Sequence, residues 1–71
     1  MSKKFVKKFG LRVKNIREEK SISQEELADM AGLHRTQISL IERGMRTPRL
    51  ETIEKLADAL GIQPSELIPE K

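Results

Sequence analysis

The side chains that open the run RTQIS, residues 35–39, offer the most specific chemistry in this sequence. An arginine can donate two hydrogen bonds to O6 and N7 of guanine, and a glutamine can pair with adenine; a threonine can offer a hydroxyl and touch a thymine methyl group. The predicted base-reading residues are Arg35, Thr36, Gln37 and Ser39. The alternative is that they are ordinary solvated residues on an exposed helix face.

Two short helices joined by a tight turn are predicted to position these side chains. Ser23 and Glu26 have the spacing of a capping box, so the first of these helices begins at about Gln24. It stops near residue 31, because Gly32 can adopt the left-handed conformation that ends a helix. Its apolar stripe consists of Leu27, Ala28 and Ala31.

The second helix of the pair is predicted to run over about residues 35–43 and to end at Gly44. Ile38 and Ile41 lie three residues apart and turn inward. Two helices of about two turns, separated by a few residues that include a glycine, match the helix-turn-helix unit. In that unit the first residues of the second helix lie deepest in the major groove, which is why the residues from Arg35 to Ser39 are expected to read DNA.

Helical periodicity predicts two longer helices around this unit, over residues 2–19 and 50–60. A short fifth helix is predicted over residues 64–68, between Pro64 at its first turn and Pro69 as its stop. The apolar positions of the two longer helices are Phe5, Phe9, Val13 and Ile16, then Leu50, Ile53, Leu56, Ala57 and Leu60. The predicted fold is therefore all-α, a single domain of five helices over residues 1–71.

Positive charge is concentrated in the first part of the chain. Residues 1–50 carry 12 Lys or Arg and 6 Asp or Glu, whereas residues 51–71 carry 2 and 5. A net charge of +6 beside the helix-turn-helix attracts polyanions and makes binding depend on salt. The alternative is that the lysines only keep a small domain in solution.

The composition argues against several other classes of protein. The chain has no Cys and one His, which excludes disulfides and thiolate metal sites and leaves little for any metal centre. No apolar run approaches the roughly 20 residues that span a bilayer, and the N-terminus lacks the apolar core of a signal peptide. We therefore expect a cytoplasmic protein that has no cofactor and is not an enzyme.

From Phe9 to Leu67 the sequence resembles the Xre/Cro/cI family of DNA-binding domains. The shared motifs are SQEELA in the second helix, AGL in the turn, ISLIERG in the third helix, the proline after it, and LETIEKLADALGI in the fourth. Ser21 stands where such domains often have Gly. The length, the HRTQIS segment and the short tail are most similar to the controller proteins of restriction-modification systems, although many small phage-like repressors share the spacing.

This resemblance implies a lambda-repressor-like fold and a sequence-specific transcription regulator that binds a pseudo-palindromic operator. A controller protein would act on its own promoter, as activator and as repressor. The competing hypotheses are a phage-like repressor and an antitoxin-type module that binds mainly protein. No small-molecule effector is expected, because no domain remains for a ligand pocket.

Contacts with the DNA backbone are expected from the ends of the helices. Gln24 opens a helix whose N-terminal amides suit a phosphate oxygen, and the resemblance gives it that role. His34 stands where a Ser, Thr or Asp cap is usual, and its imidazole is expected to meet a phosphate. Arg43 and Arg49 are expected to bind phosphates across the groove, and Arg46 to reach a base edge from the loop.

The resemblance also implies a salt bridge between Arg17 and Glu42 that joins the first and third helices. Acidic residues at the positions of Glu25 and Asp29 touch the sigma subunit of RNA polymerase in related phage activators. The alternative for this pair is a plain solvated face. Leu40 is also open: it either packs against the loop at Met45 or meets thymine methyl groups.

A homodimer is expected from the size of the chain and from its tail. A domain this small buries only about 60% of its unfolded surface, so association would help it. The apolar residues expected at the dimer interface are Ile62, Leu67 and Ile68.

Overall fold

A computed structural model describes residues 2–70, which form four α-helices followed by one turn of 3-10 helix. The α-helices are α1 (Lys3–Glu19), α2 (Gln24–Ala31), α3 (Arg35–Glu42) and α4 (Leu50–Leu60), and the 3-10 turn is Pro64–Glu66. The predicted all-α class and the helix-turn-helix, formed by α2 and α3, are confirmed.

The prediction of a fifth helix is wrong. The amides of Leu67 and Ile68 donate to the carbonyls of Pro64 and Ser65, at 3.0 and 3.3 Å, and both bonds span three residues rather than four. Pro69 has no amide hydrogen with which to extend this turn. The segment therefore stays a three-residue turn, anchored by the buried side chain of Leu67.

Local signals define the ends of α2 and α3. The Ser23 hydroxyl accepts the amide of Glu26 at 3.0 Å, and the Glu26 carboxylate accepts the amide of Ser23 at 2.9 Å, so the predicted capping box is present. At the end of α3 the amides of Gly44 and Met45 donate to the carbonyls of Ile41 and Leu40, at 3.0 and 2.9 Å. This is the Schellman arrangement, with Gly44 in the left-handed conformation.

The core lies where α1 and α4 pack against the helix-turn-helix. On α1 the buried positions begin at Val6 rather than at Phe5, which is only half-buried, so the predicted stripe was displaced by one residue at its start. The largest fully buried side chains are Phe9, Val13, Leu27, Ile38, Ile41, Leu56 and Leu67. Every helix of the domain contributes to this cluster, so α3 is held from behind by the whole core.

Gly10 sets the distance between α1 and α3, which the sequence did not predict. It is buried, and a Cβ atom there would collide with the backbone carbonyl oxygens of Ile41 and Glu42. Because these are backbone atoms, no rotamer change can relieve the collision. The absence of a side chain at residue 10 therefore allows the last turn of α3 to lie directly against α1.

The turn between α1 and α2 contains a strained residue. Ser21 has a φ of 57°, in the left-handed region that glycine enters more easily. Its amide donates to the carbonyl of Glu18 at 3.0 Å, and the Ile22 amide donates to the carbonyl of Arg17 at 3.1 Å. Both bonds fix the point at which the chain enters α2.

Candidate nucleic-acid interface

The surface of α3 that faces away from the core carries two of the predicted base-reading side chains, Thr36 and Ser39. The inward seam of the helix consists of the buried residues Ile38, Ile41 and Glu42. Because residues three and four apart share a face, the opposite side carries Thr36, Ser39, Leu40 and Arg43. Arg35 lies beside this surface and is exposed, as is Thr36, whereas Ser39 is half-buried. The structure thus brings a row of hydrogen-bond donors to one outward surface.

A buried ion pair anchors α3 to α1. The Arg17 guanidinium donates from Nε to Oε2 of Glu42 at 2.6 Å and from the second terminal nitrogen to Oε1 at 3.0 Å. Only 8% of Arg17 and 5% of Glu42 remain exposed. The hydrogen bond to Glu42 raises the pKa of Arg17 above its ordinary value, so the guanidinium stays charged. This is the salt bridge that the family resemblance implied.

The same carboxylate also holds α2. The side-chain nitrogen of Gln24 donates to Oε1 of Glu42 at 3.0 Å, and the remaining terminal nitrogen of Arg17 donates to the carbonyl of Ile22 at 2.8 Å. No buried side-chain nitrogen or oxygen within residues 2–70 lacks a partner. Glu42 therefore joins α1, α2 and α3 at one point, and the bond to Gln24 was not predicted.

At the start of α3 the capping role falls to Gln37. The His34 side chain makes no capping hydrogen bond, but the His34 amide donates to Oε1 of Gln37 at 2.9 Å. Gln37 is the third residue of the helix, and glutamine at this position commonly caps the residue before the helix. The spacing of His34 and Gln37 was the available signal, and sequence reasoning missed it. The side-chain oxygen predicted to read a base thus has a partner within its own chain.

The predicted phosphate-binding residues lie at the edges of this surface. Gln24 is half-buried at the N-terminus of α2, and His34 and Arg43 are exposed at the two ends of α3. Arg43 donates from Nε to the carbonyl of Ser39 at 3.4 Å. The Glu26 carboxylate beside Gln24 has its pKa lowered, first by the hydrogen bond from the Ser23 amide and then by the Ser23 hydroxyl. The lowered pKa keeps Glu26 negatively charged, next to the candidate phosphate site at Gln24.

Three basic side chains surround a cavity between α3 and α4. Arg46 and Arg49 belong to the loop, Lys55 belongs to α4, and Gln37 faces them from α3. The cavity has a volume of about 550 Å³ and mostly polar walls. The loop therefore places positive charge at the edge of the α3 surface.

Glu25 and Asp29, the predicted polymerase contacts, are both exposed on α2. They lie four residues apart and so share a face. The ion pairs among the described residues are Arg17 with Glu42 and Lys55 with Glu51, so neither carboxylate is engaged in one. This acidic face is available to a partner.

The predicted dimer residues divide into two groups. Ile68 is 39% exposed and Ile62 is half-buried, but Leu67 has no exposed surface because it packs into the core of its own chain. Leu67 therefore cannot contact a second chain, and we remove it from the predicted interface. Ile68 instead lies across a shallow cleft from Leu11, which is 54% exposed.

No helix within residues 2–70 is long and apolar enough to cross a membrane. In the same residues, no three or more His, Cys, Asp or Glu side chains come together as a metal ion would require.

The chain is similar in sequence to known helix-turn-helix proteins. Residues 13–67 match the helix-turn-helix family HTH_3. Over 61 residues the chain is 54% identical to the control protein C.BamHI of Bacillus amyloliquefaciens, an alignment covering 84% of this chain and 75% of that protein. It is 44% identical over 62 residues to the immunity repressor protein of Bacillus phage phi105, but spans only 43% of that repressor.

A solved structure shows the same fold. The crystal structure of the restriction-modification controller protein C.AhdI from Aeromonas hydrophila superposes with a TM-score of 0.87 at 46% identity. The match covers 89% of this chain and 96% of that one.

Replacing Glu42 with Gln is expected to lower the free energy of unfolding by about 3 kcal/mol, since removing one partner leaves a buried charge uncompensated. Urea unfolding followed by circular dichroism measures the change as a shift in midpoint at constant slope. The control is Glu54→Gln, an exposed carboxylate on α4, which should change stability by no more than about 0.5 kcal/mol. Equal, small shifts in the two variants would contradict the anchoring role of Glu42.

Proposed function

The chain belongs to the helix-turn-helix family HTH_3, and from that membership we propose that it is a transcription regulator that binds a pseudo-palindromic operator as a homodimer. Membership of this family, together with similarity to controller proteins, makes the chain a DNA-binding regulator rather than an enzyme. The observation that carries the proposal is the outward surface of α3, held rigidly from behind by the core and by Glu42.

Within this proposal Arg35 reads guanine and Thr36 and Ser39 contact neighbouring bases. Arg35 and Thr36 are exposed at the N-terminal end of α3, the end that enters the major groove in a helix-turn-helix. Gln37 contributes less than the sequence suggested, because its oxygen caps the start of the same helix. Arg46 reaches a base edge from the loop beside α3.

Phosphate contacts position the domain on the duplex. Arg43 directly follows α3 and Arg49 directly precedes α4, and both side chains are exposed. The His34 side chain makes no capping hydrogen bond. Gln24 meets a phosphate at the start of α2 while its side-chain nitrogen holds Glu42. A backbone contact at Gln24 would thus be tied directly to the orientation of α3.

Dimerisation spreads two copies of α3 over successive major grooves, about 34 to 36 Å apart. Ile62 and Ile68 supply apolar surface for the pairing, and Leu11 lies close enough to Ile68 to extend it. The tail that carries them is acidic, so it is expected to face away from the duplex. The active species is accordingly a two-fold dimer in the cytoplasm.

The biological role that fits best is autoregulatory control of a restriction-modification system. The relatives include control proteins of such systems, and the C.AhdI controller matches this chain over almost its whole length. Regulation then depends on protein concentration and on filling of adjacent sites. Activation at low occupancy would give way to repression at high occupancy.

The acidic face of α2 is proposed to contact the sigma subunit of RNA polymerase. Replacing Glu25 and Asp29 together with Ala should abolish activation in transcription assays with purified polymerase, while operator affinity is retained. The matched control replaces Glu54 and Asp58, an exposed acidic pair of the same spacing on α4. If activation and DNA affinity fall together, the polymerase contact is wrong.

Replacing Arg35 with Ala is expected to weaken operator binding by about 1 to 3 kcal/mol and to relax specificity at one base pair of each half-site. The matched control is Arg49→Ala, which removes the same charge from a proposed phosphate contact. It should weaken binding to the operator and to unrelated DNA by the same factor. It should also reduce the slope of log affinity against log salt concentration by about one. Fluorescence anisotropy on both DNAs separates the cases; an Arg35 variant that loses affinity equally for both would contradict direct readout.

A further inference from the structure

An apolar residue sits in the middle of the α3 surface proposed to face DNA. Leu40 follows Thr36 by four residues and precedes Arg43 by three, so the three side chains lie along one helix face. Thr36 and Arg43 are exposed and Leu40 is half-buried. The core lies on the opposite side of the helix, so core packing does not explain a leucine between these polar side chains.

Leu40 is not part of the core of residues 2–70. The half-buried hydrophobic side chains that pack against the core of residues 2–70 are Ile16, Ile22, Leu33, Ala59 and Ile62, and Leu40 is not among them. The Schellman bond from Met45 to the carbonyl of Leu40 brings these two residues together, and a hydrophobic contact commonly accompanies this bond. Met45 itself remains 66% exposed. The pair therefore forms an apolar patch at the surface rather than an extension of the core.

We propose that Leu40 contacts the 5-methyl group of a thymine in each half-site and so determines specificity at that base pair. The inference rests on the proposed function, because it requires α3 to enter the major groove. The thymine methyl is the apolar feature of major-groove base edges. Opposite any other base edge, Leu40 would cover a donor or acceptor that it cannot satisfy, which disfavours those sequences.

This contact gives α3 two kinds of readout. Arg35 and Thr36 read by hydrogen bonds at the start of the helix, and Leu40 reads by shape and apolar contact one turn later. The amide of Met45 donates to the carbonyl of Leu40, which fixes the backbone that carries the leucine.

The test uses duplexes enriched by the full chain from a randomised library. Each thymine of the enriched site is replaced singly by deoxyuridine, which removes only the 5-methyl group. At one position in each half-site, this replacement should weaken wild-type binding about fourfold. That factor corresponds to roughly 0.8 kcal/mol for one buried methyl-sized group. The same replacement should not change the affinity of the Leu40→Ala variant. The Leu40→Met variant should show part of the wild-type loss of affinity.

The control variant is Met30→Ala, which removes an exposed apolar side chain from α2 and should keep the full wild-type sensitivity. Thermal unfolding of every variant checks the fold. The Leu40→Gln variant keeps the size of the side chain, and it should lose sensitivity to the thymine methyl group as Leu40→Ala does. Equal deoxyuridine sensitivity in wild type and Leu40→Ala, or no sensitive thymine in wild type, overturns the inference while leaving the proposed function intact. Failure to enrich any sequence overturns both.

Discussion

The buried carboxylate of Glu42 holds three helices at one point, and the position of the recognition helix α3 depends on it. Its two oxygens accept from Arg17 on α1 and from Gln24 on α2, while Arg17 also binds the carbonyl of Ile22 in the turn between those helices. Charged groups this deeply buried are tolerated only when their hydrogen bonds are satisfied. The hydrogen bonds that satisfy them fix the orientation of α3 relative to α1 and α2.

Two features of the chain allow this arrangement. Gly10 lets α1 approach the backbone of α3 at Ile41 and Glu42, so the ion pair forms across a close helix contact. Gly44 ends α3 in a left-handed conformation, and a Cβ there would press on Lys7. With this scaffold behind α3, little ordering would be required when DNA binds, because the side chains proposed to read bases project from a surface already in place.

The sequence predicted what local signals decide and missed what tertiary packing decides. The capping residues Ser23 and Glu26 gave the start of α2, and helical periodicity placed Ile38 and Ile41 in the core. Leu67 was different, because an apolar residue in a short tail can pack into its own domain or into a partner, and only the assembled core shows which. The partner of Gln24 depends in the same way on a neighbour brought together by folding. The cap that Gln37 forms with the His34 amide is different, because its spacing is local and it was missed.

The first 50 residues carry the positive charge and the tail is acidic, which fits the proposal that one side of the domain faces DNA and the other faces its partner. The most direct measurement is a hydroxyl-radical footprint of the purified protein on the DNA upstream of its own gene, over a concentration series. Two protected segments about one helical turn apart on the same face of the duplex, appearing together, are predicted. A single protected half-site, or protection spread evenly over the fragment, would contradict a dimer that reads DNA through α3.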